Sequence, residues 1–257
     1  MSGTWILLRG LTRESGHWGR FPEQLRERLG GAAVVALDLP GNGALNHLVS
    51  PTRIEAITQH CREQVRVLGI APPYRLLAMS MGAMVALDWS GRAPQAIAGC
   101  VLINTSLRPF DPWHRRLRPA TYPALLRLAL GRGDAHAKER AVLRMTSHHP
   151  DASASVLDAW AEMRQRRPVS RLNALRQLCA AARFRPAGNP PEASLLVLGS
   201  LRDALVDVHC STGLAQRWHA DIALHPDAGH DLPLDDGAWV AEQVARWLRS
   251  SETRGAS

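Results

Sequence analysis

Lysine is all but missing from this 257-residue chain: Lys138 stands alone among 31 basic residues, the rest being arginine. Apolar runs are short, and none approaches the roughly 20 residues that a membrane-crossing helix needs. The first residues, MSGTWILLRGLTRE, carry no basic leader and no long apolar stretch of the kind an export signal uses. Together these absences predict a soluble, cytoplasmic protein. Cysteine is scarce too. Cys61, Cys100, Cys179 and Cys210 lie far apart with no C-x-x-C pair, the pattern of four reduced thiols. Metal spacing is lacking: His148 and His149 are neighbours and cannot share a helix face. Neither a metal nor a cofactor is expected. Aromatic residues make up only 5% of the chain, few lie among the bases and no nucleic-acid motif occurs, which argues against a nucleic-acid partner.

What charge there is sits unevenly. The net charge is +8, yet residues 107–190 hold 16 Arg plus Lys against 6 Asp plus Glu, and the remainder holds 15 against 17. The whole positive excess belongs to one middle segment.

Six short runs are apolar throughout: Trp5–Leu8, Ala33–Leu37, Tyr74–Met79, Gly99–Asn104, Ser194–Gly199 and, more weakly, Ala220–His225. Unbroken apolar runs of this length suit strands covered on both faces, as in a parallel sheet between helix layers. Helical periodicity fills the gaps at Trp18–Leu29, Ile54–Leu68, Met81–Trp89 and Trp239–Leu248. Such alternation predicts a doubly wound α/β fold with a mainly parallel sheet of about six strands and right-handed crossovers. Between the fourth and fifth runs the pattern breaks. Residues 107–190 read as four inserted helices, Tyr122–Leu130, Ala135–Met145, Ala152–Arg164 and Ser170–Ala182, forming a lid over a core made of 1–106 and 191–257. The polar tail Ser250–Ser257 is expected to fray.

The third run ends in Ala78-Met79-Ser80-Met81-Gly82 and a helix follows. A serine at such a strand–helix turn, with small residues two steps away on each side, matches a nucleophile elbow. The reason is steric: a sharp turn that exposes the hydroxyl leaves no room for side chains at Ala78 and Gly82.

From this stretch outward the chain resembles the α/β-hydrolase family over nearly its whole length. "LLRGL" at 7–11 is similar to the family's first oxyanion loop, "LDLPGNG" at 37–43 to its D-x-P-G-x-G loop, "VLGSLRDALV" at 197–206 to the acid loop, and "AGHDLPLDD" at 228–236 to the histidine loop. Arg9 stands where the family usually has histidine, and the family's leading hairpin is missing. The resemblance implies a Ser–His–Asp triad of Ser80, His230 and Asp203, with Asp207 as rival acid at the start of the next helix. Asp227 and Asp231, beside His230, read as surface loop charge, and His225 as the end of a strand. By the same resemblance the oxyanion donors are the backbone N–H groups of Met81 and Leu11. Gly10 would let the backbone close in. His17, Trp18, Met79, Leu125 and Trp160 are pocket candidates, each of which packing explains as well.

The activity this implies is hydrolysis of carboxylic esters through an acyl-enzyme. Thioesters, a lyase using the same triad and a ligand-binding member of the fold remain open. Relatives with an aspartate nucleophile are disfavoured by Ser80. The clusters Arg115–Arg116–Arg118 and Arg164–Arg166–Arg167 in the basic lid suggest an acidic partner, an acyl carrier protein foremost. The plainer alternative is a solvated arginine-rich surface.

Overall fold

Side chains on successive strand residues point to opposite sides, and in this chain both sides are apolar. The computed structural model, which describes residues 3–131, 133–148 and 154–255, shows the consequence. Strands β1 (Thr4–Leu8), β2 (Val34–Leu37), β3 (Tyr74–Met79), β4 (Ile97–Ile103), β5 (Ser194–Ser200) and β6 (Asp221–His225) form one sheet in the order β2-β1-β3-β4-β5-β6. Every pairing is parallel. Trp5, Leu7, Leu77, Met79, Val101, Ile103, Leu196 and Leu198 face one core, under α1 (Phe21–Arg28) and α11 (Gly237–Gly255). Ile6, Leu8, Leu76, Ala78, Cys100, Leu102, Leu195 and Val197 face the other, under α2 (Ile54–Val67), α3 (Met81–Arg92) and α9 (Val208–Trp218). Burial pushes the thiols of Cys61 and Cys100 up to about 12, so both are inert core residues.

Between β4 and β5 run α4 (Trp113–Arg116), α5 (Tyr122–Leu130), α6 (Ala135–Thr146), α7 (Ala154–Arg166) and α8 (Arg171–Arg183). The four long ones match the helices expected there within two residues, although Ala152 and His149 lie outside the described residues. The one-turn α4 was not foreseen. A short α10 (Leu232–Asp235) follows the histidine loop. At the far end α11 continues through Gly255, into the tail that was expected to fray; Ala256 and Ser257 lie outside the described residues.

Side chains from α6, α7 and α8 reach the loops at the top of the sheet. Glu139 on α6 is 1% exposed and accepts from Arg13 at 2.8 Å and from Arg164 of α7 at 2.5 Å. Arg167 donates to Glu14 at 2.6 Å. Gln177 on α8 accepts from the Thr12 N–H and donates to Asn42 and Ser50. Glu139→Gln keeps the shape but leaves two largely buried guanidiniums facing a neutral group. Breaking a buried pair on one side costs about 3–5 kcal/mol. The expected result is a clear fall in Tm together with faster limited proteolysis within 107–190.

Candidate active site

Ser80 sits between β3 and α3 with φ 56° and ψ −120°, a conformation that side-chain-bearing residues rarely adopt. Its N–H donates to the Ile103 carbonyl at 2.9 Å, and its carbonyl accepts from Thr105 Oγ1 at 3.0 Å. These two bonds from the neighbouring strand and its loop hold the turn against its own strain. Gly82 explains why the turn can be this tight. A Cβ there would lie 2.6 Å from the Arg9 carbonyl oxygen and closer still to that of Leu8. Gly10 lies on the other side of the serine, where an added Cβ would come 3.1 Å from Ser80 Cβ and 3.5 Å from its Oγ. The parallel register Leu8↔Ala78, continued two residues, places Gly10 opposite Ser80.

His230 is 5% exposed on the loop after β6. Its Nδ1 is 2.7 Å from Asp203 Oδ2. Asp203 is 2% exposed after β5, and its other oxygen accepts from the N–H groups of Leu205 and Val206 at 2.7 and 2.9 Å. Asp207, the rival acid, caps α9 and bonds His209. Burial alone would push the His230 imidazole down. The charge and hydrogen bond of Asp203, with Asp231 behind, outweigh it and leave the pKa raised. No hydrogen bond joins Ser80 Oγ to His230 among the described residues. The N–H groups of Leu11 and Met81 likewise have no protein acceptor among the described residues. Ser80 thus follows the end of β3, Leu11 lies in the loop after β1, and the His230–Asp203 pair bridges the loops after β6 and β5.

The pocket candidates separate. Trp18 goes into the core, 3% exposed against Phe21, because it closes the 3-10 turn Ser15–Trp18 that feeds α1. Met79 ends β3 and packs in the core under α1 and α11, while Met81 already belongs to α3 and packs in the core on the other side of the sheet. Two residues of one strand at this spacing would share a face, and the turn at Ser80 parts them. Leu125 is half-buried on α5. Trp160 is 3% exposed, with the Arg13 guanidinium 3.9 Å from its ring and His17 edge-on at 5.2 Å. Beside it a cavity of about 20 Å³, room for one water, is lined by Thr12, Glu14, His17, Glu139, Arg164 and Arg167 among others. Burial and the Arg13 charge hold His17 well below its ordinary pKa, so it stays neutral there.

Two positioning residues escaped the sequence reading. Asn104, with φ 45°, donates to Ser200 Oγ and to the His230 carbonyl at 2.9 Å each, fastening the ends of β4 and β5 to the histidine loop. Asp231 was expected at the surface. It is 2% exposed and takes both Nη groups of Arg9, at 2.9 and 2.5 Å. The buried guanidinium needs a counter-charge, and the loop after β6 brings Asp231 to it. Asp227 is surface charge as expected, paired with Arg202.

Residues 5–243 match the model of the alpha/beta hydrolase family. The chain belongs to that family. A pimeloyl-[acyl-carrier protein] methyl ester esterase of Chromobacterium violaceum is 24% identical over 245 residues, covering 93% of this chain and 81% of the relative. Among solved structures, an esterase of Thermogutta terrifontis superimposes with a TM-score of 0.75 at 21% identity, over 97% of this chain and 90% of that one. The 2-hydroxy-6-oxo-6-phenylhexa-2,4-dienoate hydrolase of Rhodococcus sp. strain RHA1 does so with 0.74 at 20%, over 96% and 91%. Such likeness fixes the fold and leaves the substrate to the site. Among the described residues no helix is long and apolar enough to cross a membrane.

Proposed function

We propose that this hydrolase cleaves carboxylic esters with Ser80 as nucleophile, His230 as base and Asp203 as orienting acid. The observation that carries the reading is the buried His230–Asp203 pair, and the strained backbone of Ser80 at the turn from β3 into α3 supports it. The substrate carbonyl enters against the N–H groups of Leu11 and Met81. Ser80 Oγ attacks its carbon, and the serine proton passes to His230 Nε2 as the two side chains close up. The oxyanion is held by the two N–H donors until the C–O bond to the alcohol breaks, and His230 returns the proton to the departing alkoxide. Water then repeats the sequence on the acyl-enzyme and releases the acid and Ser80. Residues 107–190 act as a cap over a core of 1–106 and 191–257, and the side chains under them select the acyl group. Hydrolysis of p-nitrophenyl esters from acetate to decanoate tests the reading: multiple turnover supports it, and none from a folded chain overturns it.

The base must be neutral to act. His230 has its pKa raised above 6.5, so kcat/KM is expected to fall as pH drops through a midpoint above 6.5. A profile from pH 5 to 9 checks this.

A second reading, in which the ester is linked to an acyl carrier, draws on the named activity of the Chromobacterium relative and on the basic segment. Of the six clustered arginines, five are engaged within the protein: Arg116 with the Ala181 carbonyl, Arg118 with that of Asp203, Arg164 with Glu139, Arg166 with Glu162 and Arg167 with Glu14. Support rests instead on the exposed Arg108, Arg115, Arg127, Arg140, Arg144 and Arg183, and on two stretches, 112–133 and 163–191, without any Asp or Glu. A carrier-linked ester cleaved faster than the free ester, with an advantage that fades as salt rises, is the expected sign.

A further inference from the structure

Arg9 follows β1 directly and is 2% exposed. Its Trp18 neighbour lies 4.8 Å below the guanidinium plane's centre. The two Nη groups meet the two oxygens of Asp231 in a fork that a histidine at this position could not reproduce. On one side of the fork are the backbone atoms of the site: the Arg9 carbonyl borders Gly82, Gly10 borders Ser80, and Leu11 follows. On the other side Asp231 is bonded to His230 through the chain, and its N–H donates to the Thr146 carbonyl at the end of α6 at 2.7 Å. A buried ion pair contributes little net stability compared with an apolar pair. Burial beside the base therefore points to a role in the site.

We propose that Arg9 and Asp231 are a positioning pair that locks the oxyanion loop to the histidine loop and lets their opposite charges cancel at His230. This rests on the Ser80–His230–Asp203 reading above. The charged groups around His230 are Asp203 from the loop after β5, Asp231 on its own loop and Arg9 from the end of β1. Arg13 lies further along the β1 loop and acts on Asp231. Asp235 on α10 accepts from the Gly229 N–H, and Arg118 donates to the Asp203 carbonyl from beyond α4. His148, after α6, is engaged with Arg202 and Asp227. Without Arg9 the imidazole faces two carboxylates and keeps its proton to higher pH. Without Asp231 it faces an uncompensated cation and loses its proton at lower pH.

The two single variants therefore move the acidic limb of kcat/KM in opposite directions. Arg9→Met shifts it to higher pH and Asp231→Asn to lower pH, each by about 0.5–1 unit for one charge screened by a protein interior. The double variant R9M/D231N returns the limb close to wild type, yet its kcat stays down by about 10-fold because the two loops are no longer clamped. Arg9→Lys and Asp231→Glu keep the charges and lose the fork, so they lower kcat and leave the limb in place. The same shifts are read without substrate by NMR titration of the His230 ring. That titration separates failure of this pair from failure of the esterase reading. Shifts of one sign in both singles, or an unmoved limb in Arg9→Met, overturn the charge role. Full kcat in the double variant overturns the clamp. Should the singles not fold, the double variant, which strands no buried charge, decides the clamp, and the two charge-keeping variants decide the charge role: a limb that moves in them overturns it.

Discussion

Ser80→Ala is expected to reduce kcat on a p-nitrophenyl ester by about 10⁴-fold or more while leaving the fold untouched. Removal of a serine nucleophile from a working triad costs this much, and what remains comes from the oxyanion donors and from binding. The structural side of the expectation is specific to this site. Ser80 Oγ has no hydrogen-bond partner among the described residues, so deleting it strands no acceptor and no donor. Alanine and serine both carry a Cβ, so the strain at φ 56° is the same in each. The bonds that hold the turn, from Ser80 N–H to Ile103 and from Thr105 to the Ser80 carbonyl, belong to the backbone at position 80 and persist. Tm should therefore stay within about 1 °C of wild type. Labelling by a phosphonate that captures active serines should vanish. Turnover above a few per cent of wild type in the alanine variant would rule out Ser80 as the nucleophile. A folded wild type without turnover on any simple ester shifts the site toward a carrier-linked substrate, a lyase reaction or ligand binding.

The fold was largely legible because its strands are covered on both faces. An unbroken apolar run such as Leu76-Leu77-Ala78-Met79 has no solvent side to interrupt it, and it ends where the chain reaches the site. The helices of 107–190 were readable for another reason. Proline and glycine punctuate them, and Asp134 and Ser170 cap α6 and α8 with side-chain oxygens. Local geometry was legible where one residue type must stand at one turn, as with the strained turn at Ser80 and the close approach at Gly82. The site was illegible where a partner comes from far along the chain. Asp231 looks like loop charge until Arg9, 222 residues earlier, is seen to fork onto it. One signal did exist: an arginine directly after Trp5–Leu8 sits at the buried end of a central strand, and such a cation needs an anion. Local sequence says nothing about which one. The surroundings of the arginine clusters were hidden for the same reason, since spacing does not reveal that Glu139 and Glu14 come up to meet Arg164 and Arg167.

Gly82→Ala is the other substitution with a large expected effect, and it acts through the fold. The added methyl would meet the carbonyl oxygens of Leu8 and Arg9, which are backbone atoms at the end of a central strand and cannot swing aside. Either α3 moves off the sheet or the end of β1 gives way. Overpacking a rigid core site costs typically 1–3 kcal/mol and sometimes more. With backbone as the obstacle the upper figure applies, about 3 kcal/mol, and at roughly 2–4 °C per kcal/mol for a chain of this size Tm should fall by about 6–12 °C. Catalysis should fall further than stability, because the displaced backbone is the one that carries Gly10 past Ser80 and presents the Leu11 N–H. Gly91→Ala in the same helix supplies the contrast. Nothing lies within 4 Å of a Cβ there, and the position is exposed. The substitution should raise Tm slightly, since alanine favours a helix interior over glycine by up to about 1 kcal/mol. Equal and small effects at the two glycines would show that β1 and α3 are not in contact behind the serine, and the close approach on which the oxyanion loop depends would go with them.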